Sequence, residues 1–245
     1  MTRLRLANIF GTLALITGAM ACSLEAQDAG KLIFSDDFER VESQETQDEV
    51  GNGWGTNSKA RAGGNKQVDL KAGAMHITMH PTADHAVSVR HAAEFTDGAV
   101  ELRFMLPQPQ DVLGLDFADL KYKQVHAGHL FKVTIGTKKL SIDDMKSGGM
   151  NMDYYAAKKA KTLTPEQKKW IASKKKAFPV DLEAGKWHDL RVQIEGDKVG
   201  VIIDGEQLGA FRSEGFAHPT KRMLRLAVPR SAVVDDVKIY SQPSQ

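Results

Sequence analysis

Apolar and polar residues alternate with a period of two through much of this chain. Between residues 99 and 106, Val100, Leu102 and Phe104 fall on one side, and Glu101 and Arg103 on the other. Such alternation predicts a strand with one buried and one wetted face. Shorter runs of the same kind occupy residues 67–70, 74–79, 86–90, 129–135, 139–143, 187–195, 199–203, 207–211, 223–228 and 232–240. Gly136-Thr137, Gly196-Asp197 and Asp204-Gly205 stand between neighbouring runs and read as hairpin turns. The first run, Ile33-Phe34-Ser35-Asp36-Asp37-Phe38-Glu39, and the last, Val234-Asp235-Asp236-Val237-Lys238-Ile239-Tyr240, are of the kind a sandwich sets side by side. Many short strands with turns at close intervals predict an all-β sandwich.

One segment departs from this pattern. Residues 146–179 carry nine lysines and read as a helical insertion ended by Pro179. Thr164-Pro165-Glu166-Gln167 is a helix start: a threonine cap, a proline in the first turn, and a glutamine three residues after the cap. The helix is expected to run to about Lys175. The lysines are not interleaved with aromatic or arginine residues, so the segment reads as a solvated insertion over a sheet edge, with a polyanion-binding face as the alternative. Residues 41–53 are polar and acidic and read as a loop, followed by the tight turn Asn52-Gly53-Trp54-Gly55.

Composition supports one packed domain. The 245 residues are 42% hydrophobic, and a sandwich of this length is commonly a single domain. Arg3 and Arg5 precede an apolar run from Leu6 to Met20, too short to span a bilayer comfortably. Residues 1–26 therefore read as a signal peptide and spacer, and residues 27–245 as the folded domain. Setting Arg3 and Arg5 aside, 31 basic residues balance 31 acidic ones, so no nucleic-acid partner is predicted. Cys22, the sole cysteine, follows Ala19-Met20-Ala21. It reads either as the lipidation site of a partial lipobox or as incidental to ordinary secretion. An extracytoplasmic location follows in both cases, with contact to a membrane only through that anchor. No intrachain disulfide can form.

Several polar groups are candidates for chemistry. His126 and His129 flank Ala127-Gly128 at the start of one strand, and Asp144 and Lys146 end its hairpin partner. The four would gather at one rim as an acid–base set for proton abstraction beside a ketone, the alternative being one exposed and one packed histidine beside a charged, solvated loop. Trp54 reads as a core residue or a lid on the sandwich edge, with a sugar-stacking surface as the alternative. Arg61 lies in a basic run, with Asn57, Lys59 and Lys66, that would edge a groove or form a mobile loop. His85 begins the strand carrying Arg90. Arg90, Glu101, Arg103, Arg191, Gln193 and Arg225 occupy the polar sides of their strands, where they would bind sugar hydroxyls or simply keep a sheet face soluble. Asp36, Asp37, Asp235 and Asp236 meet where the terminal strands pair. Asp36 and Asp236 are the candidate ligands of a structural calcium ion, the alternative being that these acids guard strand edges and serve turns.

The two terminal strands resemble the ends of concanavalin A-like jelly rolls, such as laminarin-binding and laminarinase-type domains. The fold expected is therefore an all-β, concanavalin A-like jelly-roll β-sandwich with a lysine-rich helical insertion. Family-sixteen glycoside hydrolases carry Glu-x-Asp-x-(x)-Glu on one strand. Here Glu195-Gly196-Asp197 is the sole Glu-x-Asp, with no glutamate at 199 or 200, so that catalytic set is excluded. From about Phe34 to Tyr240 the chain also resembles the 3-keto-disaccharide hydrolase domain family. The resemblance is carried by residues 34–38 with Trp54, Lys66-Gln67-Val68-Asp69-Leu70 with Gly73, and Phe95-Thr96-Asp97-Gly98. It continues through residues 128–135, Lys186-Trp187-His188 and Ile203-Asp204-Gly205. Leu113-Gly114-Leu115-Asp116-Phe117 stands where that family has Asn-Ser-Gly. The resemblance implies hydrolase-like action on a glycoside or modified sugar. A non-catalytic carbohydrate-binding or cell-surface module of the same fold is the other expectation.

Overall fold

A computed structural model describes residues 30–243. The expected leader and Cys22 lie outside the described residues. The strands, in chain order, are β1 (Lys31–Asp36), β2 (Gly55–Thr56), β3 (Val68–Lys71), β4 (Ala74–Thr78), β5 (Val87–Phe95), β6 (Asp97–Met105), β7 (Val112–Ala118) and β8 (His129–Gly136). They continue with β9 (Lys139–Asp144), β10 (Lys175–Pro179), β11 (Trp187–Glu195), β12 (Lys198–Ile203), β13 (Glu206–Arg212), β14 (Lys221–Val228) and β15 (Ser231–Gln242).

The first sheet runs β13-β12-β11-β6-β15-β4-β3, with β1 also paired to β15. The second runs β10-β9-β8-β7-β14-β5-β2. All pairs are antiparallel, and chain neighbours often sit in opposite sheets, as a jelly roll requires. The facing sides interleave into one core that includes Leu102, Phe104, Phe117, Phe131, Val192, Leu226 and Ile239. Burying each such side chain contributes about 1.5–3 kcal/mol before the entropy of ordering it.

The expected closure forms. Asp36 on β1 stands opposite Val237 on β15. Its buried carboxylate is a hub: Oδ1 accepts from Arg40 Nη1 (2.6 Å) and the Phe38 amide (2.9 Å), and Oδ2 from Arg40 Nη2 (3.0 Å) and the Trp54 indole (2.8 Å). Phe38 and Trp54 pack beneath, their ring centroids 6.0 Å apart.

This bonding corrects the calcium expectation. Both Asp36 oxygens are engaged, and Arg40 already supplies the positive charge a cation would bring. Asp236 Oδ2 lies instead 4.0 Å from Arg103. Among the described residues no three His, Cys, Asp or Glu side chains gather in metal-holding geometry.

A short helix, α1 (Ser58–Arg61), follows β2, and the insertion contains more than one helix. α2 (Met152–Ala160) begins at Asn151, whose side chain accepts from the Asp153 amide. α3 (Pro165–Ser173) carries the predicted capping box, Thr164 with Gln167. The chain then turns into β10, which pairs with β9 rather than continuing as helix. A bridge between Val125 and Asn151 ties the other end of the insertion to the segment before β8.

Replacing Asp36 with Ala leaves Arg40 and the Trp54 indole without their acceptor. We expect a loss of about 2–4 kcal/mol in urea unfolding. Burial alone would raise the Asp36 carboxyl, but Arg40, the Phe38 amide and Trp54 together hold it below the usual value. Its contribution is therefore complete above the ordinary carboxylate range and lost as pH falls through the lowered folded value. The gap between wild type and Asp36→Asn should narrow below about pH 4. A gap constant with pH would rule out an ionised Asp36 as its source.

Candidate functional site

The outer face of the second sheet carries a row of long charged side chains, one from each of six adjacent strands. Arg225 on β14 lies directly between Arg90 on β5 and Asp116 on β7. Asp116 pairs across to Lys132 on β8, Lys132 to Asp143 on β9, and Asp143 to Lys175 on β10. At the usual strand spacing the row is roughly 24 Å long. Beside it runs a parallel row of small residues: Ser88, Ala227, Gly114, Thr134, Ser141 and Ala177. Gly114 leaves room there for the Lys132 side chain, whose Cε would lie 2.6 Å from a Cβ at this position and would have to shift aside.

Asp116 is the centre of the row. Its side chain is 5% exposed. Oδ2 lies 2.5 Å from His129 Nδ1 and 4.0 Å from Arg225 Nη1. Oδ1 is buried and has no hydrogen-bond partner among the described residues. Arg225 Nη1 lies 3.3 Å from the same Nδ1 and would donate to it in one tautomer; in the other, with the proton on Nδ1, His129 donates to Asp116 and leaves Nε2 unprotonated. His129 Nε2 has no partner among the described residues, so in the second tautomer it is available to accept a proton. This is the carboxylate–imidazole arrangement that orients a general base. Arg225 donates from Nη2 to the Ala127 carbonyl (2.8 Å). Burial lowers the pKa of its guanidinium, Asp116 opposes that shift and Arg90 adds to it.

The local chain explains how His129 reaches this face. Leu130 and Phe131 are both buried, and the β7–β8 register shifts between Phe117 and Ala118. That slip brings His129 beside Asp116 although Phe131, two residues on, faces the core. Ala127 and Gly128 before it both have left-handed backbones (φ 50° and 73°). A Cβ at Gly128 would sit 2.6 Å from the Asp119 carbonyl oxygen, so glycine is needed to turn here.

His126 lies close by, its ring centroid 6.4 Å from that of His129. It stacks on Tyr155 of α2 at 3.9 Å, and the Tyr155 hydroxyl lies 3.1 Å from its Nε2. Burial, then the nearby His129 and Lys159, lower the His126 pKa. Where the helices meet the sheet, Asp143, Met145, Met150, Lys158, Ile171 and Lys175 help line a cavity of about 370 Å³. Burial pushes the Asp143 carboxyl up, against the pull of Lys175, Lys158 and Lys132.

The expected four-residue acid–base set does not assemble. His126 and His129 meet, but Asp144 stands opposite Phe131 and points into the interior. It is fully buried and accepts from Ser213 Oγ (2.5 Å), the Gly215 amide (3.0 Å) and the Ser147 amide (2.9 Å). Its role is to tie the 213–217 segment to the sandwich. Lys146 places its ammonium 5.4 Å from the ring centroid of Tyr122, which packs against His218. The carboxylates on the histidines' side are Asp116 and Asp143. Sequence reasoning missed Asp116 because β7 itself went unread, although Leu113, Leu115 and Phe117 alternate with Gly114, Asp116 and Ala118.

The expected sugar-binding residues are also dispersed. Arg90 is in the row. Arg103 is on the outer face of the first sheet, on the opposite side of the molecule. There Glu101, Arg103, Asp189, Arg191, Asp236 and Lys238 border a cleft of about 350 Å³. Trp54 is buried against Phe34, Phe38 and His91 and offers no stacking surface. Arg61, at the end of the short helix Ser58–Arg61, pairs with Asp84 at 3.4 Å. His85 is exposed and bonds the carbonyl of Ala86 next to it. Lys66 is engaged by Glu42, Glu45 and Asp69.

No protein-family model and no curated protein matches the chain. Solved structures do. The laminarinase from Rhodothermus marinus superposes with a TM-score of 0.57 at 11% identity, over 87% of this chain and 98% of that one. SCLam, a non-specific endo-β-1,3(4)-glucanase from family GH16, gives 0.57 at 13%, over 89% and 93%. Carbohydrate-binding module CBM66 from Bacillus subtilis gives 0.51 at 12%, over 77% and 96%. The fold is a concanavalin A-like jelly roll. Identities this low carry the fold alone.

Two outcomes test the site's construction. Gly128→Ala forces a Cβ into the Asp119 carbonyl and should cost about 1–3 kcal/mol in urea unfolding. The NMR signals of His126 and His129 should move with it; an unchanged midpoint and unchanged signals would contradict the tight turn. Because folding raises the Asp143 pKa, wild type should lose stability as pH rises from the ordinary carboxylate range through the raised value. Asp143→Asn should lack that loss, so its urea midpoint should gain on wild type as pH rises above the ordinary carboxylate range of about 4. Parallel pH curves would show that Asp143 is not strained by burial.

Proposed function

We propose that this chain is a carbohydrate-binding protein that takes a glycan along the outer face of the second sheet. The observation that carries the reading is the six-strand row itself. Arg90, Arg225 and Lys132 present donors from rigid strands beside a strip of small side chains, the layout that orients hydroxyl-rich ligands. The laminarinase, the glucanase and the carbohydrate-binding module that share this fold support the reading. In it, the leader delivers the protein outside the cytoplasm, either free or held through Cys22.

A second reading adds turnover, favoured by the Asp116–His129 pair with its available Nε2. On a 3-keto-glycoside, the substrate class suggested by the family resemblance, His129 takes the proton from C2 beside the C3 ketone. The C2 electron pair forms a C1–C2 double bond as the bond from C1 to the leaving oxygen breaks. The leaving oxygen takes a proton from solvent, and water adding across the double bond completes the hydrolysis. Asp116 holds the imidazole and balances the charge it gains.

Calorimetry against a panel of soluble glycans tests the first reading. Arg225→Ala and Lys132→Ala should each weaken binding about tenfold, the scale of one charge-assisted hydrogen bond. Arg103→Ala, on the opposite face, should leave it unchanged. Loss on Arg103→Ala alone would move the site to the first sheet. Incubation with a 3-keto-glucoside tests the second reading: wild type should release the leaving group and His129→Ala should not. Intact binding without turnover by wild type would remove it.

A further inference from the structure

The two outer faces differ in how their charges are paired. On the first sheet, Arg103 lies near Asp189, Asp235 and Asp236, and Arg191 pairs with Glu101. Arginines there have carboxylate partners, and the carboxylates outnumber them. On the second sheet, Arg90 and Lys132 have no ion pair or side-chain hydrogen bond among the described residues. Arg225 must share Asp116 with His129. The row holds four cations, Arg90, Arg225, Lys132 and Lys175, against the two carboxylates of Asp116 and Asp143, the latter 3.7 Å from Lys175.

Placing Arg90 directly opposite Arg225 costs stability, since like charges facing across strands repel. Burial of Arg225 sharpens that cost. The insertion adds further positive charge to the same side: Lys158 shares the cavity with Asp143, and Lys159 lies near enough to bear on His126. Aromatic stacking, the usual means of holding a neutral sugar ring, is absent from the row among the described residues. Trp54 is buried, Trp187 lies beneath Arg103 on the other sheet, and the Lys174 ammonium sits 3.9 Å from the Trp170 ring centroid.

We propose that the glycan bound by this face is anionic, with a carboxylate or sulfate group seated between Arg90 and Arg225 and further negative groups along Lys132 and Lys175. The proposal rests on the carbohydrate-binding reading and narrows its ligand class. An anion between the two guanidiniums relieves their repulsion and supplies the acceptor that Arg90 lacks. A saccharide chain carrying repeated charges matches cations spread over six strands, with Arg90 and Arg225 adjacent and Lys132 and Lys175 each two strands further on, better than a compact anion does. Uronates and sulfate esters share this chemistry.

The test uses the protein from residue 27 onward with four probes: polygalacturonate, dextran sulfate, laminarin and a duplex DNA oligonucleotide. Polygalacturonate or dextran sulfate should bind, and which one does so more tightly assigns carboxylate or sulfate. Laminarin should bind at least about tenfold more weakly, and raising salt from about 50 to about 500 mM should weaken the anionic complex about tenfold or more. Arg90→Ala should weaken it about tenfold, while Lys238→Ala, a charge-matched change on the other sheet, should not. Laminarin binding as tightly as the charged glycans, without salt dependence, overturns the anionic ligand and leaves the glycan reading standing. No binding of any of the three glycans overturns both. Equal binding of DNA, or equal loss in Lys238→Ala, also overturns the proposal, because general charge attraction would then account for the data.

Discussion

Burial of one face of each sheet against the other decides which side chains are left to meet a ligand. Every second residue of a core strand is committed to the interior, so the outer face is an arithmetic consequence of strand phase. In β7, the commitment of Leu113, Leu115 and Phe117 turns Gly114, Asp116 and Ala118 outward. In β9, Leu140 and Ile142 go inward, Asp144 follows them, and Asp143 is left outside. Adjacent aspartates thereby acquire opposite fates. One becomes a saturated internal tether and the other a carboxyl between lysines.

The same constraint explains why the outer faces have different electrical characters. Alternation specifies that outward residues be polar, but not which charges meet across strands. On the first sheet the pairs are of opposite sign, as surface stability favours. On the second, two arginines meet. The strain is small against the burial energy of the core, so the fold tolerates it.

Much of the architecture was legible in the chain. The closing strands, the hairpins at 136–137 and 196–197, and the Thr164 cap follow from turn residues and alternation. The candidate site was less so. Arg90, Arg103, Arg191 and Arg225 share strand parity, yet parity says only outward, not which sheet. Their division between two opposite faces needs the strand order β11-β6-β15 and β7-β14-β5. β7 was hidden because its Gly114 and Asp116 are poor strand formers. They are there for space and charge. The Asp144 error came from treating the open end of a hairpin as one place, when successive residues point to opposite sides of the sheet. β10 was concealed by lysines that suit a helix equally well, and pairing with β9 decided its conformation.

The insertion returns to the sheet as β10, and that has a bearing on self-association. A wide sheet ends in a row of unsatisfied backbone groups that invites another copy to pair. Here the final strand is five residues long, begins with Lys175 and Lys176, and ends in Pro179, which has no amide hydrogen to donate. Charge and a missing donor make it a poor template for a further strand. At the far side the same sheet ends in β2, only two residues long. The molecule therefore keeps a six-strand surface open to solvent while its borders discourage chain-to-chain fibre growth.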